Sequence, residues 1–103
     1  MSMRGVIVPI LTPLMPDERV DESSLRRLVN YLLNNGVHGI WAAGTTAEFP
    51  ALPDSERKIA IETVVDEVQG RVPVIGNISA SGTKMTVDIG LSLGDCKLDA
   101  IAA

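Results

Sequence analysis

Val37-His38-Gly39-Ile40-Trp41-Ala42-Ala43 is a short apolar run, and Gly44-Thr45-Thr46-Ala47-Glu48-Phe49-Pro50 follows it directly. The first piece reads as a strand and the second as the loop behind it. On the amino-terminal side, Leu25, Leu28, Val29, Leu32 and Leu33 recur at helical spacing, with Arg26, Arg27, Asn30 and Asn34 off the stripe. That is one apolar face of a helix. Asp21 suits its N-cap and Glu22 the positive end of its dipole. Gly36 stands where a left-handed residue closes a helix. Further back, Gly5-Val6-Ile7-Val8-Pro9-Ile10-Leu11 is a continuous apolar run, too short for a helix and suited to a strand of a parallel sheet. Thr12 to Glu18, with two prolines and an acidic pair, is a loop.

The same alternation continues downstream. Pro53-Asp54-Ser55-Glu56 opens a second helix, with proline in its first turn. Ile61, Val64, Val65 and Val68 form its stripe, Gly70 ends it, and Asp54, Glu56, Glu62, Asp66 and Glu67 read as its wet face. Val72 to Asn77 is a third strand. Ser79 to Thr83 is a loop, and Thr83 is placed to cap a third helix through about Leu93. Gly90 lowers that helix's propensity. Leu98 to Ala103 is a fourth strand. Each strand-plus-helix unit spans roughly thirty residues, as in repeated βαβ crossovers. The expected class is α/β with a parallel sheet. A doubly wound open sheet and a slice of a (β/α)₈ barrel both satisfy the pattern, and periodicity does not choose between them. Residues 1–103 form one domain with no internal boundary. Because the pattern closes on a bare strand and a whole barrel takes about 250 residues, the chain is expected to be the front of a longer architecture. The alternative is a small four-stranded domain.

Composition narrows the function. With 46% hydrophobic and 21% charged residues a packed core is possible. A net charge of −4 argues against nucleic acid or an anionic membrane as the main partner, since both recruit basic surfaces. A single cysteine, Cys96, excludes an internal disulfide and a Cys-based zinc cluster, so no metal is expected. No apolar run approaches the ~18 residues of a membrane span, and the start does not read as a signal peptide. A cytoplasmic location is expected.

The loop Gly44-Thr45-Thr46-Ala47-Glu48 is the sharpest chemical feature. In parallel α/β folds ligands gather on loops behind the carboxyl ends of strands. A glycine permitting close backbone approach, adjacent hydroxyls and consecutive N–H groups make a cradle for a small carboxylate. Alternatively, the threonines satisfy only local backbone groups. Asn77 to Thr83 lies at the same end but lacks phosphate-loop spacing. His38 sits at the opposite end and reads as a surface residue. Cys96 has no basic partner close in sequence and reads as a buried, inert thiol. Schiff-base chemistry needs a lysine in a desolvated pocket. Lys58, Lys84 and Lys97 are the three lysines, and none stands at a strand's carboxyl end.

On these residues the chain resembles the dihydrodipicolinate synthase / N-acetylneuraminate lyase family of pyruvate-dependent class I aldolases. The stretches that carry the resemblance are Gly5-Val6-Ile7-Val8 through Thr12-Pro13, Val20-Asp21 through Gly36-Val37, Gly39-Ile40, and above all Gly44-Thr45-Thr46-x-Glu48. Arg71 to Ile75 and Asp99-Ala100-Ile101 extend it. The resemblance implies the amino-terminal part of a (β/α)₈ (TIM) barrel, about three βα units plus a fourth strand, usually assembled as a tetramer, so a homo-oligomer is expected. It implies a catalytic role for Thr45 in a hydroxyl proton relay. It also implies that Thr46 and Gly44 bind the substrate, Thr46 through the carboxylate of a small 2-oxo acid such as pyruvate. The family's reaction is Schiff-base condensation of pyruvate with an aldehyde or imine, or the reverse cleavage, and no cofactor is expected. The Schiff-base lysine and the relay tyrosines belong to later segments and have no counterpart here. Tyr31 lies in the first helix and is no substitute.

Three departures stand out. Ala47 replaces a common glycine, Asn77-Ile78-Ser79 replaces a glycine-rich stretch, and Lys97 stands where glycine often ends the third helix, which adds strain if left-handed. The first two suggest a paralogue with its own aldehyde partner. The 103-residue chain alone is therefore expected to be inactive. Its alternative role is a non-catalytic module that self-associates, because four parallel strands leave an apolar face and two open edges.

Overall fold

The computed structural model of the chain describes residues 3–103, and along them strands and helices alternate. In order they are β1 (Ile7–Pro9), α1 (Glu22–Asn34), β2 (Gly39–Ala42), a 3₁₀ turn (Phe49–Ala51), α2 (Asp54–Val68), β3 (Val74–Asn77), α3 (Thr83–Ser92) and β4 (Ala100–Ala102). The strands are shorter than the apolar runs that foretell them, because only their middles form ladders.

The sheet settles the choice that periodicity leaves open. All neighbours are parallel and the strand order is β1-β2-β3-β4. A doubly wound sheet reverses its order at a switch point and carries helices on both faces. Here the order simply follows the chain. Ile40, Ala42 and Val74 are buried on one face, and Trp41, which alternates with the β2 pair, is 37% exposed on the other. One covered face and a sequential order are the marks of a single winding, the (β/α)₈ barrel pattern.

The covered face holds the core. Leu25 and Val29 of α1, Ile40 of β2, and Ile61, Val64 and Val68 of α2 are its largest fully buried side chains. Each contributes about 1.5–3 kcal/mol by leaving water. Asp21 caps α1 as the sequence implies: its Oδ1 accepts the Ser24 N–H at 3.1 Å and its Oδ2 the Ser24 hydroxyl at 2.7 Å. These bonds, the backbone one first, hold the Asp21 carboxyl below the usual carboxylate range. Gly36 is left-handed, with φ +81°.

Several local expectations need correction. Pro53 is the N-cap of α2, one place earlier than its first turn, and its carbonyl accepts the Arg57 N–H at 2.9 Å. The exit of α2 begins at left-handed Gln69, with Gly70 left-handed after it. Thr83 does not cap α3. Extended Gly82 holds that position, and its carbonyl accepts the Thr86 N–H at 3.0 Å. Lys97 lies beyond α3 and is not among the residues with positive φ, so it carries no left-handed strain. The loop after β1 folds into a clasp in which Leu14 bridges Val20 antiparallel and the Met15 N–H donates to the Arg19 carbonyl at 2.8 Å.

The acidic side of α2 is more than a wet face. Arg26 of α1 reaches Asp66 at 2.6 Å and Glu67 at 3.1 Å, and Asn30 donates to Glu67 at 2.7 Å. Glu56 accepts the Val20 N–H at 2.8 Å. Asn30, and then Arg26, lower the Glu67 pKa. The carboxylates therefore staple α2 to α1 and to the clasp.

Candidate active site

Because all four strands run the same way, the loops that follow them collect at one end of the sheet. The turn after β2 starts with Ala43, which is buried and left-handed at φ +56°. For an L-residue with a Cβ this costs about 1 kcal/mol, and it throws the chain out of the sheet. The Gly44 carbonyl then accepts the Ala47 N–H at 3.1 Å and the Phe49 N–H at 3.3 Å, and the Thr45 carbonyl accepts the Glu48 N–H at 3.0 Å. Glu48, at φ +59°, turns the chain into the 3₁₀ segment. Ala47 is buried without positive φ, so alanine fits this loop in place of glycine. The strain sits at Ala43 and Glu48 instead.

Thr45 and Thr46 are both exposed. Among the described residues, neither hydroxyl and neither of the two backbone amides has a hydrogen-bond partner. The threonines thus do not satisfy local backbone groups, which was the competing use for them. Gly44 is buried, and a Cβ placed on it would touch the Trp41 indole at an ordinary 3.4 Å. Its own surroundings therefore do not demand a glycine.

Beneath the turn lies a residue that the hydropathy pattern passes over. Arg57 is 4% exposed. Its guanidinium lies 4.8 Å from the centroid of the Phe49 ring. Its Nη1 donates to the Ser79 carbonyl at 2.9 Å and to the Asn77 carbonyl at 3.4 Å. Among the described residues no carboxylate lies within ion-pair distance of it, and its Nε is buried without a partner. Burial pushes the guanidinium pKa down, and the charge of Asp54 opposes that shift. The signal was available: Arg57 stands four residues before Ile61, on the same helical stripe. Asn77, at the end of β3, is also 4% exposed, and its Oδ1 accepts the Ser79 hydroxyl at 3.1 Å. Arg57 therefore joins the β2 turn, through Phe49, to the end of β3.

The other candidates lie apart from this turn. His38 is at the amino-terminal end of β2. Its Nδ1 accepts the Val6 N–H at 2.9 Å, and its own backbone N–H donates to the Val6 carbonyl at 2.8 Å. It is a surface clip between β1 and β2. Cys96 is half-buried, and burial first, with Glu62 adding, pushes its thiol pKa up. It lines a groove of about 520 Å³ on the helix side, with Arg26, Glu62, Asp66 and Lys97 among its walls and no residue of the β2 turn. Lys58 is half-buried on α2, Lys84 is exposed and pairs with Asp88 at 2.9 Å, and Lys97 is exposed. No lysine is brought to the turn. Tyr31 is 63% exposed on α1.

Comparison with known proteins agrees with this architecture. Residues 2–103 match the dihydrodipicolinate synthetase family. A 4-hydroxy-tetrahydrodipicolinate synthase from Methanopyrus kandleri is 40% identical over 101 residues, 97% of this chain and 34% of that protein. The chloride-inhibited dihydrodipicolinate synthase of Acinetobacter baumannii, solved with pyruvate, superposes with a TM-score of 0.91 at 31% identity, over 97% of this chain and 34% of that one. N-acetylneuraminate lyase of Proteus mirabilis superposes at 0.89 with 25% identity, over 96% and 34%. The chain spans about a third of the length of these relatives. Its parallel, singly wound sheet superposes on these structures along nearly the whole of its own length, and the chain belongs to the dihydrodipicolinate synthetase family.

Proposed function

We propose that this chain carries the acid-binding front of a pyruvate-dependent aldolase or lyase. The carboxylate of a small 2-oxo acid sits on the turn after β2. It accepts hydrogen bonds from the Thr45 and Thr46 amides and from the Thr46 hydroxyl. The Thr45 hydroxyl passes a proton in a relay whose other members, like the Schiff-base lysine, come from the two thirds of the relatives' length that this chain does not cover. The parent reaction condenses the pyruvate carbonyl with that lysine amine and loses water. The enamine formed by loss of a C3 proton then joins an aldehyde or imine, or the reverse path cleaves the adduct. The observation that carries this proposal is the set of unpartnered amides and hydroxyls on an exposed turn at the carboxyl end of a parallel strand. The pyruvate-bound relative from Acinetobacter baumannii supports the ligand class.

Without the covalent nucleophile the 103-residue chain binds weakly, at about the millimolar level, near −4 kcal/mol, and forms no carbon–carbon bond. Titration with pyruvate, followed by amide NMR, should move Thr45 and Thr46, and Thr46→Val should remove the response. Borohydride reduction with pyruvate should leave Lys58, Lys84 and Lys97 unmodified by mass. A pyruvate response confined to other residues, or an adduct on any of the three lysines, overturns the proposal.

A further inference from the structure

Trp41 stands at the foot of the turn that carries Thr45 and Thr46. Its neighbours on β2, Ile40 and Ala42, are buried against the helices, so alternation sends Trp41 to the opposite face, the inside of the barrel. The indole leans along the strand toward its carboxyl end. A Cβ built on Gly44 would lie 3.4 Å from its Nε1, 3.5 Å from its Cδ1 and 3.9 Å from its Cε2, so the nitrogen-bearing side of the ring faces the first residue of the turn. Ala43, between them in sequence, adds only a methyl group. Among the described residues the indole N–H donates to no other group. The side chains level with it in the ladder, Pro9 and Ile75, are hydrocarbon and cannot take its proton. All these contacts lie within β2, its strand neighbours and its own turn.

From this placement we infer that Trp41 is a binding residue of the acid site, and that its indole N–H completes the set of donors to the carboxylate. The inference rests on the function proposed above and extends it to the strand below the turn. A carboxylate offers about four lone-pair sites. The Thr45 and Thr46 amides and the Thr46 hydroxyl fill all but one. The indole N–H is the free donor nearest to that turn along β2, and a bond to an ionised acceptor is about twice as strong as one between neutral groups. The same arrangement accounts for Gly44. Its φ is not left-handed, and a methyl group on it would make ordinary contact, so neither backbone nor packing demands glycine. A methyl group would, however, stand against the nitrogen side of the indole and hold a carboxylate away from it. Glycine at position 44 keeps that approach open.

Trp41 is the sole tryptophan, so a single indole N–H signal reports on it. In proton–nitrogen correlation spectra of the 103-residue chain, pyruvate should move that signal with the same midpoint as the Thr45 and Thr46 amides. Acetate, which has the carboxylate without the 2-oxo group, should move it as well. Trp41→Phe keeps an aromatic ring and removes the donor. It should weaken pyruvate binding about tenfold, as loss of a hydrogen bond to a charged group does, while both threonine amides still respond. Gly44→Ala leaves the indole in place and should make its signal insensitive to pyruvate. An indole signal that stays still while the Thr45 and Thr46 amides move overturns the inference and leaves the proposed function standing. So does an indole that answers pyruvate but not acetate, or a Trp41→Phe chain that binds pyruvate as tightly as the parent. Threonine amides that also stay still overturn the proposed function, and the role of Trp41 with it.

Discussion

At the scale of single residues, Arg57 governs how the proposed site is held. Its ring stacking is worth about 1–2 kcal/mol, and its bonds from a charged donor to carbonyls about 1.5–3 kcal/mol. The cost of keeping a cation out of water offsets part of that sum. Arg57→Ala should therefore destabilise the chain by about 2 kcal/mol in urea unfolding, a usual size for a broken buried network. Arg57→Lys should recover roughly half of the loss, since an ammonium keeps the charge but neither lies flat on Phe49 nor forks between two carbonyls. The position of Thr45 and Thr46 on a loop behind a parallel strand was legible in the sequence, because the apolar run of β2 ends just before them. Arg57 was not, because a stripe traced through apolar letters skips a charged one. Its place four residues before Ile61 sets it on that stripe all the same, and its partners, Phe49 and the Asn77 and Ser79 carbonyls, show what holds it there.

The α1–α2 pair is the element whose stability depends on pH. Asp21 and Glu67 both have depressed folded-state pKa values, Asp21 through the Ser24 N–H and Glu67 through Asn30 and then Arg26. Asp17 is depressed as well, by the Arg19 N–H and then its side chain. A carboxylate that releases its proton more easily when folded stabilises the fold above its unfolded pKa, near 4. That stabilisation disappears as pH falls through the lower folded value. Unfolding measured against pH should therefore be flat between about pH 5 and pH 7 and decline steadily below about pH 4. Glu67→Gln should lower stability at neutral pH and make the acid slope shallower, because position 67 no longer gains a proton. An unchanged slope would remove Glu67 from this account. The helices themselves were readable from period and caps. Their exact ends were not, as Gly82 in place of Thr83 and Gln69 ahead of Gly70 show. Nor was the stapling of α2, since Arg26 and Glu67 are far apart in sequence and meet only after folding.

For the molecule as a whole, protection should follow the winding. β2 has neighbours on both sides and covers Ile40 completely, whereas β4 has one neighbour and Ile101 is 58% exposed. Amide exchange should be slowest at Ile40 and fastest among the strands at Ala100–Ala102, because local opening tracks buried contacts. Equal protection across the four strands would contradict the edge position of β4. The choice of barrel over doubly wound sheet belongs to this scale too. Both forms write the same strand-helix alternation into a sequence. What separates them is which face each helix covers, a property of crossovers that hydropathy does not record.

Ala43 carries a consequence for how such a chain can vary. Its burial would welcome valine or isoleucine, yet its left-handed backbone bars any side chain branched at Cβ. The hinge between scaffold and rim is thus confined to the smallest letters of the alphabet, and a substitution that looks conservative by hydrophobicity would straighten the bend that lifts both threonines into solvent.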